Sequence, residues 1–398
     1  MSLLGWVIFV VALLFSVMLH ETGHFVAAKR FGMKVTQYFV GFGTTLWSTT
    51  RGETEYGIKV LPFGGFVKIV GMTSMDEVDP ADEPRSFRQH PAWQRLVVLF
   101  AGSFMHFVLA FVLLFLIAAG IGLDNNNTTQ LGPVSPCVPS SVKAFSSGTC
   151  TSSDQRSPAQ VAGLRAGDQV VSFNGKPVST WTALGNDIRE TPARRSVPVV
   201  VERGGQRRTL HVTLATVSER PGSSASYLGV EDGNVLQRYN PVRSLTYAGS
   251  MFGTVLTGSV KVIGQLPSAI PHLFAKNRAS TSAGQVTSVV GAGEITGQVV
   301  SANLGWQVKV DFVLLIMASL NIFVGAFNLL PLLPLDGGHI AVVIYERIRS
   351  WVARLRRRPA PGLVDMTKLV PLSMGVFAIL VFFGLILIVA DLVNPVRF

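Results

Sequence analysis

Two histidines and a glutamate lie within five residues of one another near the amino terminus, in the stretch His20-Glu21-Thr22-Gly23-His24. On a helix, side chains at i and i+4 project from one face, and this is the spacing of two zinc ligands. Glu21 lies between them and is placed to act on a water molecule held by such a metal. The motif is short and also occurs by chance, so its surroundings decide what it means.

The residues before this motif are apolar. No charged residue lies between Ser2 and Leu19, so a helix here would run through hydrocarbon or a protein core. Two histidines and a glutamate at that depth are costly unless they bind something or pair with each other. We therefore favour a metal site over the alternative of chance surface residues.

A second polar cluster, in the segment 328–339, follows a distant apolar stretch. A zinc held by two histidines needs a third ligand, with one position left for water. Asp336, a carboxylate at the tip of an uncharged helix, meets this need. His339 competes for the role, and we assign it a supporting function because an aspartate already fills the position. Pro331 and Pro334 break the helix, and the freed backbone groups could hydrogen-bond an extended substrate.

One more histidine, His106, lies in another apolar stretch, directly after Ala101-Gly102-Ser103-Phe104-Met105. It could be a third ligand or a polar group aimed at the site, because intramembrane polar residues usually face a functional interior. It could equally be a packing residue that hydrogen-bonds between helices. We favour a supporting role over ligation.

The composition is that of a membrane protein. Of 398 residues, 48% are hydrophobic and only 14% charged, and the mean hydropathy is +0.42. Four uncharged stretches approach or exceed the roughly 20 residues that span a bilayer: 2–19, 96–123, 312–335 and 369–390. The first lacks the basic start and the cleavage site of a signal peptide, so we expect it to be retained. The expected fold class is a polytopic α-helical membrane protein with four transmembrane helices.

Basic residues indicate which loops are cytoplasmic, because cytoplasmic loops retain lysine and arginine. The segment 341–368 is strongly basic, and the segment 29–95 has nine basic residues against seven acidic ones. The region 124–311 is long enough to be translocated whatever its charge. We therefore expect both termini and that region to be extracytoplasmic.

The net charge of +11 is compatible with binding to nucleic acid or to anionic lipid. The basic residues concentrate beside the apolar stretches, and no nucleic-acid-binding module is recognisable. We expect the lipid bilayer, and no nucleic acid, as a partner.

Cysteine usage agrees with this topology. Cys137 and Cys150 both lie in the outward region, flanked by Ser, Gly and Pro, so a loop disulfide is plausible. Two unpaired thiols remain the alternative, because separation in sequence says nothing about geometry.

Two regions between the apolar stretches have β character. Short β-prone runs at 36–40, 44–48, 55–60 and 65–70 predict a small, hairpin-rich, membrane-associated sheet. Farther on, the Gly-Leu and Gly-Asp turns of 163–168 and the Asn-Gly hairpin at 174–175 resemble a PDZ domain, an α+β module that binds extended peptides along a sheet edge. A PDZ-shaped spacer that binds nothing is the alternative.

These features divide the chain into eight segments. They are a first transmembrane helix (1–30), a hairpin region (31–95), a second transmembrane helix (96–123), a PDZ-like domain (124–232), juxtamembrane helices with a connector (233–311), a third transmembrane helix (312–340), a basic loop (341–368), and a fourth transmembrane helix with the C-terminus (369–398).

Together these motifs resemble the site-2 protease family, in particular its bacterial regulator-of-sigma-E type. The resemblance covers nearly the whole chain, with 20–24 in the first stretch, 328–337 in the third, and one PDZ-like module between. It implies a protease of the bacterial plasma membrane that uses one zinc ion and cuts transmembrane segments. Its substrates would be anti-sigma factors or signal-peptide remnants, trimmed first outside the membrane by an upstream site-1 protease.

The resemblance also assigns roles by position. It makes Glu21 the general base, and it matches the region 37–70 to the family's membrane-associated β element, which pairs with substrate. It assigns three zinc ligands: His20, His24 and Asp336. Three further residues are grouped under substrate binding or transition-state support: Asn328, Pro331 and His106.

The sequence departs from the family pattern in two places. Family members often have Ala-Gly-Pro with an Asn three residues later in the second span, where this chain has Ser103 and His106. Pro334 lies one position later than in some relatives. Neither change touches a proposed ligand.

Two other classes of protein fit parts of this pattern. A non-proteolytic membrane receptor could hold a structural zinc and use the PDZ-like module as a sensor. A transporter could use His20, Glu21 and Asp336 as a polar pathway. We favour the protease because structural zinc has no need of Glu21, and because three protein ligands leave the open position that catalysis requires.

Overall fold

The computed structural model describes residues 3–72, 76–124, 128–141, 150–220, 223–233, 236–274, 287–302, 304–359 and 361–394. The chain forms two compact units. The helical unit comprises residues 1–120 and 240–398, and the inserted unit comprises residues 121–239.

Helices account for most of the helical unit. In chain order the α-helices of the described residues are α1 Leu3–Arg30, α2 Ala92–Leu116, α3 Pro158–Ala162, α4 Trp181–Glu190, α5 Pro241–Leu273, α6 Val289–Ser301, α7 Trp306–Asn328, α8 Asp336–Leu355 and α9 Val370–Val393. A π-helical turn over Ile117–Ile121 continues α2.

Four helical segments in the described part of the chain are long and apolar enough to cross a bilayer, and the four apolar stretches of the sequence lie within or largely overlap them. They are Leu3–Arg30, Ala92–Ile121, Trp306–Asn328 and Met366–Val393. A helix satisfies its own backbone hydrogen bonds, so these segments can lie in lipid without unpaired polar groups. The protein is therefore a multi-pass membrane protein.

Glycines let α1 pack closely against its neighbours. A Cβ built on Gly23 would lie 2.8 Å from the backbone carbon of Ala101 in α2, and one on Gly5 would lie 2.7 Å from the Cα of Gly297 in α6. Only a residue without a side chain permits such an approach. This packing holds the motif-bearing end of α1 directly against α2.

The segment 312–340, assigned to the third transmembrane helix, contains the helix break that Pro331 and Pro334 predict. Helix α7 ends at Asn328, and a new helix, α8, begins at Asp336. The intervening residues carry Pro331 and Pro334, which have no backbone N–H to donate and interrupt the helical ladder. Asp336 therefore lies in the first turn of a separate helix.

The basic segment 341–368 differs from the loop predicted for it, because α8 continues to Leu355. Val343 and Glu346 are buried at helical spacing, and this packing overrides the charge pattern that suggested a loop. The segment 233–311, predicted as juxtamembrane helices with a connector, contains α6, which the Ser288 side chain caps at its N-terminus.

Twelve strands make up the β structure of the described residues. They are β1 Val35–Arg51, β2 Thr54–Ile69, β3 Leu123–Asp124, β4 Leu131–Val134, β5 Gln169–Phe173, β6 Lys176–Pro177, β7 Ser196–Arg203, β8 Gln206–Thr213, β9 Ala215–Arg220, β10 Ser223–Tyr227, β11 Val230–Asp232 and β12 Leu236–Gln237.

Strands β1 and β2 form the hairpin sheet. Both strands fold back at glycines with positive φ, including Gly41 (φ 86°) and Gly64 (φ 127°), conformations that favour glycine. As a result Tyr38 pairs with Tyr56 on one side and with Val67 on the other. The four short runs predicted from the sequence are thus segments of two long, bent strands.

The inserted unit is built around a four-stranded sheet in the order β6-β5-β7-β8, and its core includes Phe173, Leu184 and Val199. Cys137 and Cys150 form a disulfide with their Cα atoms 5.9 Å apart.

A buried ion pair ties together the turn at 163–168. Asp168 is 1% exposed and accepts hydrogen bonds from Arg203 Nε and Nη2, both at 2.6 Å, and from the backbone N–H of Arg165 at 2.9 Å. Burial raises the pKa of Asp168, but these hydrogen bonds and the charge of Arg203 outweigh it and hold the pKa below its ordinary value.

Candidate metal centre

The two histidines of α1 point at a common position. Both are buried, and their Nε2 atoms lie 3.1 Å apart. His24 Nδ1 donates to the backbone carbonyl of Val98 in α2 at 2.7 Å, because a carbonyl oxygen can only accept. The proton on Nδ1 leaves a lone pair on Nε2, the state in which a histidine can bind a metal.

Asp336 completes the group from the other end of the chain. Its Oδ2 atom lies 3.4 Å from Nε2 of His20 and 3.4 Å from Nε2 of His24. Oδ2 is buried, and no hydrogen-bond donor among the described residues satisfies it. A buried carboxylate oxygen left without a donor is costly unless a cation lies beside it.

The geometry of these three atoms fits zinc. With bonds of 2.0–2.1 Å, a tetrahedral zinc separates its ligand atoms by about 3.3 Å, close to the 3.1 Å and 3.4 Å of this group. Among the described residues this is the group of histidine, cysteine and acidic side chains that could hold a metal ion. His20, His24 and Asp336 could therefore bind one zinc and leave a fourth position open.

Helix α2 leaves room for the ion at Gly102. A Cβ built there would collide with Nε2 of His24 and would lie 2.8 Å from Nε2 of His20. The sequence shows Gly102 between two small residues but gives no sign of this role, because the collision depends on how closely α1 approaches α2.

Glu21 lies next to the ligands and faces the hairpin sheet. A Cβ built on Gly65 of β2 would lie 3.5 Å from Glu21 Cγ and 2.6 Å from the sulfur of Met18. The carboxylate is therefore near both the histidines and the β2 segment 65–69.

The hairpin sheet is tethered to α1 within the motif itself. Thr22 Oγ1 donates to the Met18 carbonyl at 2.6 Å and shares a hydrogen bond of 2.9 Å with the Tyr38 hydroxyl. The Tyr38 hydroxyl oxygen also lies 3.2 Å from the same carbonyl oxygen. We did not identify Thr22 or Tyr38 from the sequence, because neither residue type indicates by itself a contact between α1 and the hairpin sheet.

His106 lies beside the group but is not part of it. Its ring centroid is 5.0 Å from that of His20, and its Nδ1 lies 2.8 Å from Asn321 Oδ1 and 3.1 Å from Ser16 Oγ. Ser16 also donates to Asn321 Oδ1. This buried cluster joins α1, α2 and α7 beside His20, and the supporting role of His106 stays a prediction. Ser16 and Asn321 were missed because isolated polar residues in apolar helices have many uses.

The remaining predicted residues surround the break between α7 and α8. Asn328 is the half-buried last residue of α7, and Pro331 is exposed in the connection that follows. His339 is half-buried one turn beyond Asp336 and does not belong to the metal group.

Comparison with known proteins identifies the family. The sequence model of peptidase family M50 matches residues 8–391. The chain is similar to the zinc metalloprotease Rip1 of Mycobacterium tuberculosis, with 38% identity over 414 aligned positions that cover 100% of this chain and 99% of the relative. It is similar to Rip1 of Mycolicibacterium smegmatis with 37% identity and 98% coverage of both chains.

A more distant relative is a putative zinc metalloprotease of Fusobacterium nucleatum, with 29% identity over 89% of this chain and 91% of the relative. Both the family match and the Rip1 alignments span the two halves of the metal group. The chain therefore belongs to peptidase family M50 and is a site-2-type zinc metalloprotease.

Proposed function

We propose that this protein is an intramembrane endopeptidase that hydrolyses peptide bonds within the transmembrane segments of single-span membrane proteins. The observation that carries the proposal is the position of the metal group. His20 and His24 follow an apolar helical run without a charged residue between Ser2 and Leu19, and they meet Asp336 at distances that suit zinc.

In this mechanism His20, His24 and Asp336 hold the zinc. When bound, zinc polarises a carbonyl and makes water acidic enough to act as a nucleophile near neutral pH. Glu21 accepts the proton of the attacking water and returns it to the leaving amine.

The substrate must be extended at the site, since a helix hides its carbonyls in hydrogen bonds. Segment 65–69 of β2 pairs with β1 on one side, and Gly65 in this segment lies beside Glu21. An unwound substrate could add as a strand along the other edge. Such pairing would hold the scissile bond extended next to the general base.

The substrate class follows from the resemblance to regulator-of-sigma-E type proteases. We propose anti-sigma factors or signal-peptide remnants of the bacterial plasma membrane, already trimmed outside by an upstream site-1 protease. The corresponding topology has both termini and the inserted unit on the extracytoplasmic side.

We further propose that the inserted unit is PDZ-like and filters substrates by size. It lies in sequence between the two halves of the metal group, and His211 is the only histidine of the region 124–232, so it offers no second ligand set. Its role would therefore be selection of substrate and not chemistry.

Co-expression with a tagged single-span anti-sigma factor, already truncated outside the membrane, tests the proposal. The native chain should release the tagged fragment, and Glu21→Gln should leave the substrate intact while it retains zinc. Cleavage by Glu21→Gln near the native rate would show that Glu21 is not the base. Cleavage outside the apolar segment would contradict intramembrane proteolysis.

A further inference from the structure

The C-terminal half of α8 has an apolar stripe on the side that faces away from the protein. Val343 and Glu346 are buried on the packed side. On the opposite side, apolar residues with exposed fractions from 44% to 64% recur at i, i+4, i+7 and i+11: Ile344, Ile348, Trp351 and Leu355. An exposed stripe of this regularity indicates contact with another apolar phase.

Arginines flank and follow this stripe. Five of them are exposed: Arg347, Arg354, Arg356, Arg357 and Arg358. None of these five forms an ion pair with a described residue. Glu346 is the only acidic residue between 337 and 364, and it pairs with Arg95. The positive charge of this surface is therefore not neutralised by its own helix.

We propose that residues 344–358, which comprise the end of α8 and the three arginines after it and are here called the arginine helix, bind anionic lipid. The apolar stripe would lie in the acyl-chain boundary and the arginines on the phosphates. Membrane-surface helices combine these two features, a buried apolar face and basic residues at the headgroups. An acidic protein could meet the arginines, but α8 follows the spanning helix α7, with residues 329–335 between them, and is followed in the chain by the spanning segment Met366–Val393. Its place between two spanning segments favours lipid.

The proposal rests here on the proposed intramembrane site, which places Asp336, the first residue of α8, at membrane depth.

Lipid bound to the arginine helix would also act on the metal group, because Asp336 is the first residue of the same helix. A helix held at its C-terminal end by lipid keeps its N-terminal carboxylate in one position. Anionic lipid should therefore increase the retention of zinc.

Quenching of Trp351 by brominated lipid tests the lipid contact. Full-length protein is placed in nanodiscs of phosphatidylcholine, or of equal parts phosphatidylcholine and phosphatidylglycerol, with bromine on one lipid at a time. Subtracting the signal of Trp351→Phe isolates Trp351 from the other tryptophans. We expect stronger quenching by brominated phosphatidylglycerol than by brominated phosphatidylcholine.

A matched pair of triple variants tests the charge. Each arginine near an anionic surface strengthens binding to that surface about fivefold. The preference for phosphatidylglycerol should therefore fall about 100-fold in a variant that combines Arg354→Gln, Arg356→Gln and Arg358→Gln. The control variant combines Arg195→Gln, Arg207→Gln and Arg208→Gln, which remove the same charge from the inserted unit. This variant should keep the native preference for phosphatidylglycerol.

Equal quenching by the two lipids, or an equal loss in both triple variants, would overturn the proposal. Absence of quenching by either lipid would indicate that a protein covers the stripe, which also overturns it. Zinc retention that is the same with and without phosphatidylglycerol would contradict the link to Asp336. None of these measurements depends on proteolysis, so they fail or succeed separately from the proposed function.

Discussion

Arg95 Nη1 of α2 lies 3.0 Å from Glu346 Oε2 of α8, and about nine-tenths of each side chain is buried. The other Glu346 oxygen accepts the backbone N–H of Val364 at 2.8 Å. The pair joins the helix that carries Val98 and Gly102 to the helix that begins with Asp336. Of the three helices that contribute to the metal group, α1, α2 and α8, this buried ion pair therefore joins α2 to α8.

Breaking this pair should be costly, whereas replacing it should not. Arg95→Met or Glu346→Leu alone leaves an uncompensated buried charge and should destabilise the protein by about 3–5 kcal/mol. The double variant should recover most of that loss. Thermal unfolding in detergent measures the effect, with zinc content as a second readout. A double variant as unstable as the sum of the two single variants would show that the partners do not interact.

Gly102→Ala should prevent zinc binding, because the added Cβ collides with both imidazoles. We expect zinc affinity to fall at least about tenfold, or about 1.4 kcal/mol. Ser103→Ala is the matched control. Ser103 is fully buried, and its hydroxyl has no hydrogen-bond partner among the described residues, so its loss should be nearly neutral. Equal zinc content in the two variants would show that Gly102 does not line the metal position.

Asp336→Asn should lower zinc affinity by more than about 100-fold, since even the partners of metal ligands are worth 10–100-fold. His339→Ala, one turn farther along α8, should leave zinc content nearly unchanged. Metal analysis of both purified variants decides between them. Equal loss of zinc from the two variants would contradict the choice of Asp336 over His339 as the third ligand.

Ionised Asp168 should stabilise the inserted unit in a pH-dependent way. Its pKa is lowered in the folded protein, so its contribution is complete above the unfolded pKa of about 3.9 and is lost as the pH falls through the lower folded value. Asp168→Asn should cost about 1–3 kcal/mol near neutral pH, and the difference should shrink below about pH 4. Denaturant unfolding followed by hydrogen exchange of the full-length protein measures it. A difference that persists unchanged at low pH would rule out the charge as its cause.

Removing the inserted unit should widen the range of substrates. A deletion of residues 131–232, or a variant that disrupts the turns at 163–168, should cleave an untrimmed substrate and should cleave a trimmed one at the native rate. If a folded, zinc-loaded deletion variant fails to cleave the trimmed substrate, the unit recruits substrate through its peptide groove and does not filter it.

The sequence predicts the three residues that the structure brings together in the metal group because their residue types are chemically specific. Two histidines at helical spacing and a carboxylate in an apolar stretch have few other uses. Gly102 and Val98 could not be predicted in this way. Gly102 matters because it has no side chain, and Val98 matters because of its backbone carbonyl. Each affects the site only because α1 packs against α2.

The fold likewise combines features that the sequence predicts with features that depend on tertiary packing. Hydropathy predicts the four spanning segments because lipid imposes both their length and their composition. The continuation of α8 to Leu355 depends instead on burial of Val343 and Glu346. In the sequence, the run of arginines predicts a basic loop and gives no sign of this packing.

The metal group joins residues from opposite ends of the chain, with His20 and His24 in α1 and Asp336 at the start of α8. During synthesis the histidine pair emerges and enters the membrane long before the aspartate exists. A growing chain therefore has two ligands but no third, and no helix α8 to bring one. We therefore expect no zinc-dependent cleavage of the enzyme itself or of its neighbours before the chain extends past Asp336.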